Sequence, residues 1–277
     1  MTDTQERTGY APVNGLQMYY EVHGAGLEPG HTPVLLLHGA YMTAGDFGEL
    51  LPGLARYRTV VVTDLQGHGR TGDVDRPITY EGLADDCAAL LAFLGIPRAD
   101  VIGFSMGGGV ALQLAIRHPQ VVHSLTVMSA SYTSAGMQQE LLDMIPTITP
   151  ELFAGTPMET AYRALAPDPD RFPVLVQKLK TLDETAFAWP ADDVRSIRAP
   201  SLVVVGDADA IRAQHAVELF QLLGGGAMGD LAGLSRARLA ILPGTTHFMP
   251  PGSGVLDRHA WLLPMLGDFL DRTTEVA

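Results

Sequence analysis

Gly103-Phe104-Ser105-Met106-Gly107 carries the clearest chemical content of the chain. It follows an apolar run at 100–104 and opens a segment, 107–117, whose apolar residues recur at helical spacing. A serine between a strand and a helix, with glycine on either side, fits a turn too sharp for flanking side chains. In that setting its hydroxyl projects above the carboxyl edge of a sheet, where the helix dipole favours negative charge. The chemistry on offer is nucleophilic attack by Ser105.

A serine hydroxyl is a weak nucleophile at pH 7 and needs a base, and the base needs an acid to orient it. Two later segments supply them. The apolar run 202–205 leads into Gly206-Asp207-Ala208-Asp209, and 238–242 leads into Pro243-Gly244-Thr245-Thr246-His247-Phe248. Asp207 and Asp209 are both candidates for the acid. Of nine histidines, only His247 follows the last apolar run. His38 and His68 lie in glycine turns, and His118 and His123 flank the helix after Ser105. His215 and His259 fall on surface-like helical positions. His23 and His31 belong to the N-terminal hairpin and the loop after it.

The elements that must position these groups alternate. Runs at 9–13 and Leu16–His23 flank Asn14-Gly15, a hairpin turn pair. Continuously apolar runs follow at Val34–Leu37, 59–64, 100–104, 125–129, 202–205 and 238–242, as parallel strands covered on both faces require. Helical patterns at 47–56, 80–94, 107–117, 213–223 and 260–270 separate them. The alternation predicts an α/β fold, a doubly wound, mostly parallel sheet entered through an antiparallel hairpin. The stretch 132–199 breaks the rhythm: it is proline-rich, has short helical pieces at 156–165 and 172–182, and is too long for a loop. It reads as a helical cap inserted between core segments 1–131 and 200–277. A glycine-rich excursion is expected at 224–235.

GFSMGG, GDAD and LPGTTHF, in that order, resemble the α/β-hydrolase superfamily over essentially the whole chain, and in particular its serine esterases and lactonases with a helical cap. The resemblance implies the catalytic set Ser105, Asp209 and His247, with Asp209 preferred to Asp207 because the family's acid follows G-x-x-D. It also implies an oxyanion hole made by the backbone N–H groups of Met106 and of Ala40, with Tyr41 the alternative to Ala40. His38 takes a structural place beside that hole. Haloalkane dehalogenases and epoxide hydrolases of the superfamily use an aspartate where this chain has Ser105. Carbon–carbon hydrolases share Ser-Met-Gly-Gly but carry a glycine-rich oxyanion loop and a polar residue before the serine, where this chain has HGAYMT and Phe104. Cofactor-free perhydrolases share GFS-x-GG. Hydrolysis of a carboxylic ester or lactone is the expected activity, with a bulky or macrocyclic ester such as a macrolide within its scope. Perhydrolysis, carbon–carbon hydrolysis and a non-enzymatic ligand receptor are the alternatives. Tyr41, Phe104, Tyr132, Met144, Trp189 and Phe248 are expected to bind substrate, with Met137, Phe153 and Phe187 nearby.

Composition sets the remaining expectations. A net charge of −13 repels phosphate backbones, so nucleic acid is not an expected partner. Gly67-His68-Gly69-Arg70-Thr71-Gly72 fits a dinucleotide fingerprint, but loop-like residues follow it rather than a helix. No metal-ligand spacing stands out, and the triad chemistry calls for no cofactor. The lone Cys87 excludes an internal disulfide, lies in an apolar-periodic run and suits a reducing compartment. The opening MTDTQERTGY has no basic and apolar leader pattern, and no run approaches the length of a membrane span. The expectation is a cytoplasmic monomer or homodimer, off the membrane, acting on a small molecule.

Overall fold

The computed structural model describes residues 7–24 and 32–274. His31 and the start of the opening decapeptide lie outside the described residues. Strands β1 (Arg7–Val13) and β2 (Leu16–His23) form the hairpin, with Asn14 and Gly15 both at positive φ, 48° and 85°. That is the two-residue turn whose twist matches the strands. Then come β3 (Val34–Leu37), α1 (Leu50–Ala55), β4 (Val60–Thr63), α2 (Tyr80–Phe93), β5 (Ala99–Phe104), α3 (Met106–Arg117) and β6 (Val122–Met128). Helices α4 (Gln139–Met144), α5 (Pro157–Leu165), α6 (Phe172–Glu184) and α7 (Ala191–Ser196) follow, with turns of 3₁₀ helix between the first three. The chain ends with β7 (Ser201–Ala208), α8 (Ala213–Leu222), α9 (Gly229–Ala232), β8 (Ala237–Thr246) and α10 (His259–Thr274).

The eight strands form one sheet in the order β1-β2-β4-β3-β5-β6-β7-β8. β2 pairs antiparallel with β1 and β4; every other pairing is parallel. The expected α/β architecture is the one found. Strand alternation explains why it is covered on both sides. Leu35, Leu37, Val101, Val127 and Val203 point into one core with Leu83, Leu90, Val110 and Leu114 of α2 and α3. Val34, Leu36, Ile102, Met128 and Val204 point into the other with Leu50 and Leu54 of α1 and Leu262, Leu266 and Phe269 of α10. Strands buried on both faces are apolar throughout, which is why their runs show no alternation.

The helical stretch between β6 and β7 packs into the first of these cores. Tyr162, Phe172, Leu175, Leu179 and Leu182 belong to it. α6 is also tied to the loop after β4: Lys178 Nζ reaches both oxygens of Asp73 at 2.8 Å and the Val74 and Arg76 carbonyls at 2.8 and 2.7 Å. Arg171 adds a further contact to Asp73 at 2.8 Å. Burial opposes the Asp73 charge, but these donors and Gln66 outweigh it and hold the carboxyl below its usual range.

One sequence expectation changes. His215 is buried rather than surface-placed, its ring stacked on Tyr132 at 4.7 Å. The glycine-rich motif 67–72 is followed by irregular chain until Tyr80, so it opens no helix. Its neighbour Asp64 is instead the hub of a turn, accepting from the N–H groups of Ala44 at 2.7 Å and Arg70 at 2.8 Å. Cys87 is a buried free thiol, as its place on α2 requires. Among the described residues no helix is long and apolar enough to cross a membrane, and no cluster of side chains is arranged to hold a metal ion.

Candidate active site

Ser105 stands between β5 and α3 with φ 53° and ψ −120°, a conformation L-residues rarely adopt. Such a residue costs about 1–3 kcal/mol and persists only where its surroundings enforce it. Here its N–H donates to Met128 O at 2.9 Å, and its carbonyl accepts from Gly108 at 2.8 Å and Gly109 at 3.2 Å. The flanking glycines are required by contact. A Cβ on Gly103 would lie 2.1 Å from Gly107 O, and one on Gly107 would lie 2.1 Å from Leu37 O and 2.6 Å from His38 O. Because the obstacles are backbone atoms, no side-chain shift relieves them. Gly107→Ala is expected to cost about 3 kcal/mol or more, roughly 10 °C in Tm by thermal unfolding. An unchanged Tm would show that helix and strand are further apart than described.

Ser105 Oγ lies 2.9 Å from His247 Nε2, and His247 Nδ1 lies 2.7 Å from Asp209 Oδ1. An ionised carboxylate only accepts, so Nδ1 carries the proton and Nε2 keeps its lone pair for the serine hydroxyl. Asp209 is 4 % exposed. Ser129 Oγ donates to its Oδ2 at 2.6 Å, and the N–H groups of Gly206 and Ile211 each reach it at 3.1 Å. Burial works against its charge. The hydrogen bonds from His247, Ser129 and Gly206 prevail and hold the carboxyl below its ordinary value. Asp207, the other candidate acid, points to solvent and accepts the Thr245 N–H at 3.0 Å. Its role is to brace the loop before His247.

His38 fixes the loop expected to supply an oxyanion donor. Its Nδ1 pairs with Gly39 O at 2.8 Å and its Nε2 accepts the Leu65 N–H at 3.0 Å. Burial pushes its pKa down to about 4, so it stays neutral. The same loop passes against the serine: a Cβ on Gly39 would lie 3.2 Å from Ser105 Cβ. Tyr41 sits in the left-handed region at φ 62°, which turns the chain back over the cavity. Met106 is the first residue of α3, where an N–H has no acceptor within its own helix.

A cavity of about 420 Å³ opens beside Ser105 and His247. Tyr41, Phe104, Met144 and Phe248 line it, as expected, together with Ala40, Met106, Met137, Phe153 and Phe187. Phe104 lies 5.1 Å, centroid to centroid, from the His247 ring. Tyr132 and Trp189 do not line it, and this corrects the sequence reading. Tyr132 turns away to stack on His215 and donates its hydroxyl to Glu218 at 2.6 Å. Trp189 is buried behind the wall, against Tyr80 at 5.4 Å and Phe187 at 5.0 Å. Trp189 thereby packs behind two residues that do face the cavity.

Two residues at the cavity, Ser129 and Asp183, are absent from the sequence reading. Ser129 follows β6, and its place just past the carboxyl end of a central strand is the available signal. Asp183 lies on the cavity wall, and burial in apolar surroundings pushes its carboxyl up to about 7. It occupies the position after Val176 and Leu179 on the apolar stripe of α6, where a carboxylate is out of pattern. A carboxyl raised by folding contributes stability that is fully present below its unfolded value near 3.8 and is lost as pH rises through about 7. Asp183→Asn should therefore exceed the parent in urea-unfolding stability by about 2 kcal/mol at pH 9, with the advantage shrinking as pH falls and gone only below about pH 4. A pH-independent difference would show that Asp183 is hydrated in the folded state.

A family profile described as the Alpha/beta hydrolase family matches residues 34–261, and the chain belongs to that family. A 2-hydroxymuconate semialdehyde hydrolase from Pseudomonas sp. is 33% identical over 134 residues, covering 45% of this chain and 47% of that protein. The dihydrolipoyllysine-residue acetyltransferase component of the acetoin cleaving system of Pseudomonas putida is 32% identical over 229 residues, covering 74% and 59%. The chain thus spans less than two thirds of the length of these curated relatives. Among solved structures, the enol-lactonase from Burkholderia xenovorans LB400 superimposes with a TM-score of 0.67 at 21% identity, covering 95% of this chain and 99% of that one. The 2-hydroxy-6-oxo-6-phenylhexa-2,4-dienoate hydrolase from Rhodococcus sp. strain RHA1 reaches 0.72 at 22% identity, covering 97% and 99%. These structural likenesses speak for the fold.

Proposed function

We propose that the protein hydrolyses a carboxylic ester or lactone through an acyl-enzyme on Ser105. The observation that carries the reading is the hydrogen-bonded chain Ser105–His247–Asp209 opening into an apolar cavity. Ser105 Oγ attacks the acyl carbon as its proton passes to His247 Nε2. The N–H groups of Met106 and Ala40 receive the developing oxyanion. Collapse breaks the acyl–oxygen bond, and His247 returns the proton to the leaving alkoxide. Water then attacks the acyl-enzyme, giving a proton to His247, which restores it to Ser105 Oγ as the acid departs. Asp209 holds the imidazole in the required tautomer and stabilises it when charged.

The cavity wall favours an uncharged acyl group. Its lining contains no Lys or Arg, and an anionic substrate desolvated there would have no counter-charge. This weighs against the 2-hydroxymuconate semialdehyde and dienoate substrates named for two of the proteins compared above. A volume of about 420 Å³ lies in the lower part of the range for small-molecule sites and suits a medium-sized ester better than a whole macrocycle. A panel of p-nitrophenyl esters, uncharged lactones and dienoate ketones tests the reading: saturable release of acid from the esters or lactones supports it, and turnover confined to the dienoate ketones overturns it.

A further inference from the structure

Asp183 is used by nothing in the hydrolytic scheme. Its carboxylate faces the cavity that holds Ser105 and has no hydrogen-bond or ion-pair partner among the described residues. The cations on and beside α6 are engaged elsewhere: Lys180 with the Pro146 carbonyl at 2.7 Å and Glu184 at 3.7 Å, and Lys178 and Arg171 with Asp73. The Tyr41 hydroxyl on the same wall is buried and also has no partner. Native proteins seldom leave a buried hydroxyl unsatisfied beside an unpaired, half-buried carboxylate in one apolar cavity. Around them stand aromatic faces: Tyr41 against Phe153 at 4.7 Å, and Tyr80 against Phe187 at 5.2 Å. One carboxylate among aromatic rings is the composition that binds a substituted ammonium, through charge pairing and cation–π attraction. The lining offers no cation that would compete, and the protein's −13 net charge draws cations toward it.

We propose that Asp183, with Tyr41, recognises a protonated or quaternary amine on the substrate, so that the ester turned over is an amine-bearing one. This rests on the hydrolase reading above and deepens it. The two are separated by measuring binding in a protein that cannot turn over. Ser105→Ala is titrated calorimetrically with a benzoate ester of choline and with its uncharged isostere, the 3,3-dimethylbutyl ester, which differ only in nitrogen against carbon. The expected result is a Kd for the choline ester about tenfold lower than for the isostere, with the ratio falling to near one in Ser105→Ala/Asp183→Asn. Equal Kd values in Ser105→Ala, or a ratio that survives Asp183→Asn, overturn the assignment. Asp183→Glu is a second control, since a retained carboxylate should keep part of the preference while a merely structural role would not. Turnover of the same two esters by the parent protein reports on Ser105 alone: with neither hydrolysed, the hydrolase reading fails, while the Kd ratio still decides the role of Asp183.

Discussion

Ser105→Ala lowers kcat for an activated ester by roughly 10⁴- to 10⁶-fold while the thermal midpoint stays within a few degrees of the parent. The size follows from what is removed. Only Oγ stands 2.9 Å from His247 Nε2, so its loss ends the covalent route and leaves whatever the oxyanion donors and binding supply. The fold is indifferent to the change because the backbone of residue 105, not its hydroxyl, is what Met128, Gly108 and Gly109 hold. The paired measurement is initial rate with p-nitrophenyl butyrate and thermal unfolding by circular dichroism. A variant that keeps a tenth of the parent rate would place the nucleophile elsewhere.

Asp209→Asn lowers kcat by about 10⁴-fold and also costs stability. The carboxylate accepts from His247 Nδ1, Ser129 Oγ and the Gly206 and Ile211 N–H groups. An amide of the same shape brings two donors into a site where every neighbour is already a donor. If its NH₂ faces His247, the imidazole proton is forced to Nε2 and the serine loses its base. If its NH₂ faces Ser129 and Gly206, two buried donors lose their acceptor, at about 1–3 kcal/mol. Kinetics and urea unfolding on one variant report both effects. Asp207→Asn is the contrast: that exposed side chain accepts the Thr245 N–H of β8, and its kcat should stay within severalfold of the parent. Similar losses at 207 and 209 would mean that the wrong carboxylate has been assigned.

Much of this was readable in the chain because each reactive residue follows an apolar strand. β5, β7 and β8 are runs apolar enough to mark themselves, and parallel strands share one carboxyl edge, so Ser105, Asp209 and His247 had to converge. The hairpin was equally plain from Asn14-Gly15. The pocket wall was not. Whether an aromatic in the cap region faces the cavity or its own core depends on helix rotation, which a stretch of short helices and 3₁₀ turns does not encode in any long period. Tyr132 and Trp189 therefore read like Phe153 and Phe187, yet only the latter pair line the cavity. His215 illustrates the same limit: its helix is polar enough to look exposed, and burial comes from Tyr132, 83 residues away in the chain. Asp183 left a legible mark, a carboxylate on an apolar stripe, but nothing local says what the stripe faces.

Labelling of the intact protein by a fluorophosphonate tests the central claim most directly, since it needs no knowledge of the substrate. The hydrogen-bonded geometry predicts one adduct, localised by mass spectrometry to the peptide containing Ser105, absent in Ser105→Ala and slowed by orders of magnitude in His247→Ala. No adduct on the folded parent protein, or an adduct that persists in Ser105→Ala, would contradict it.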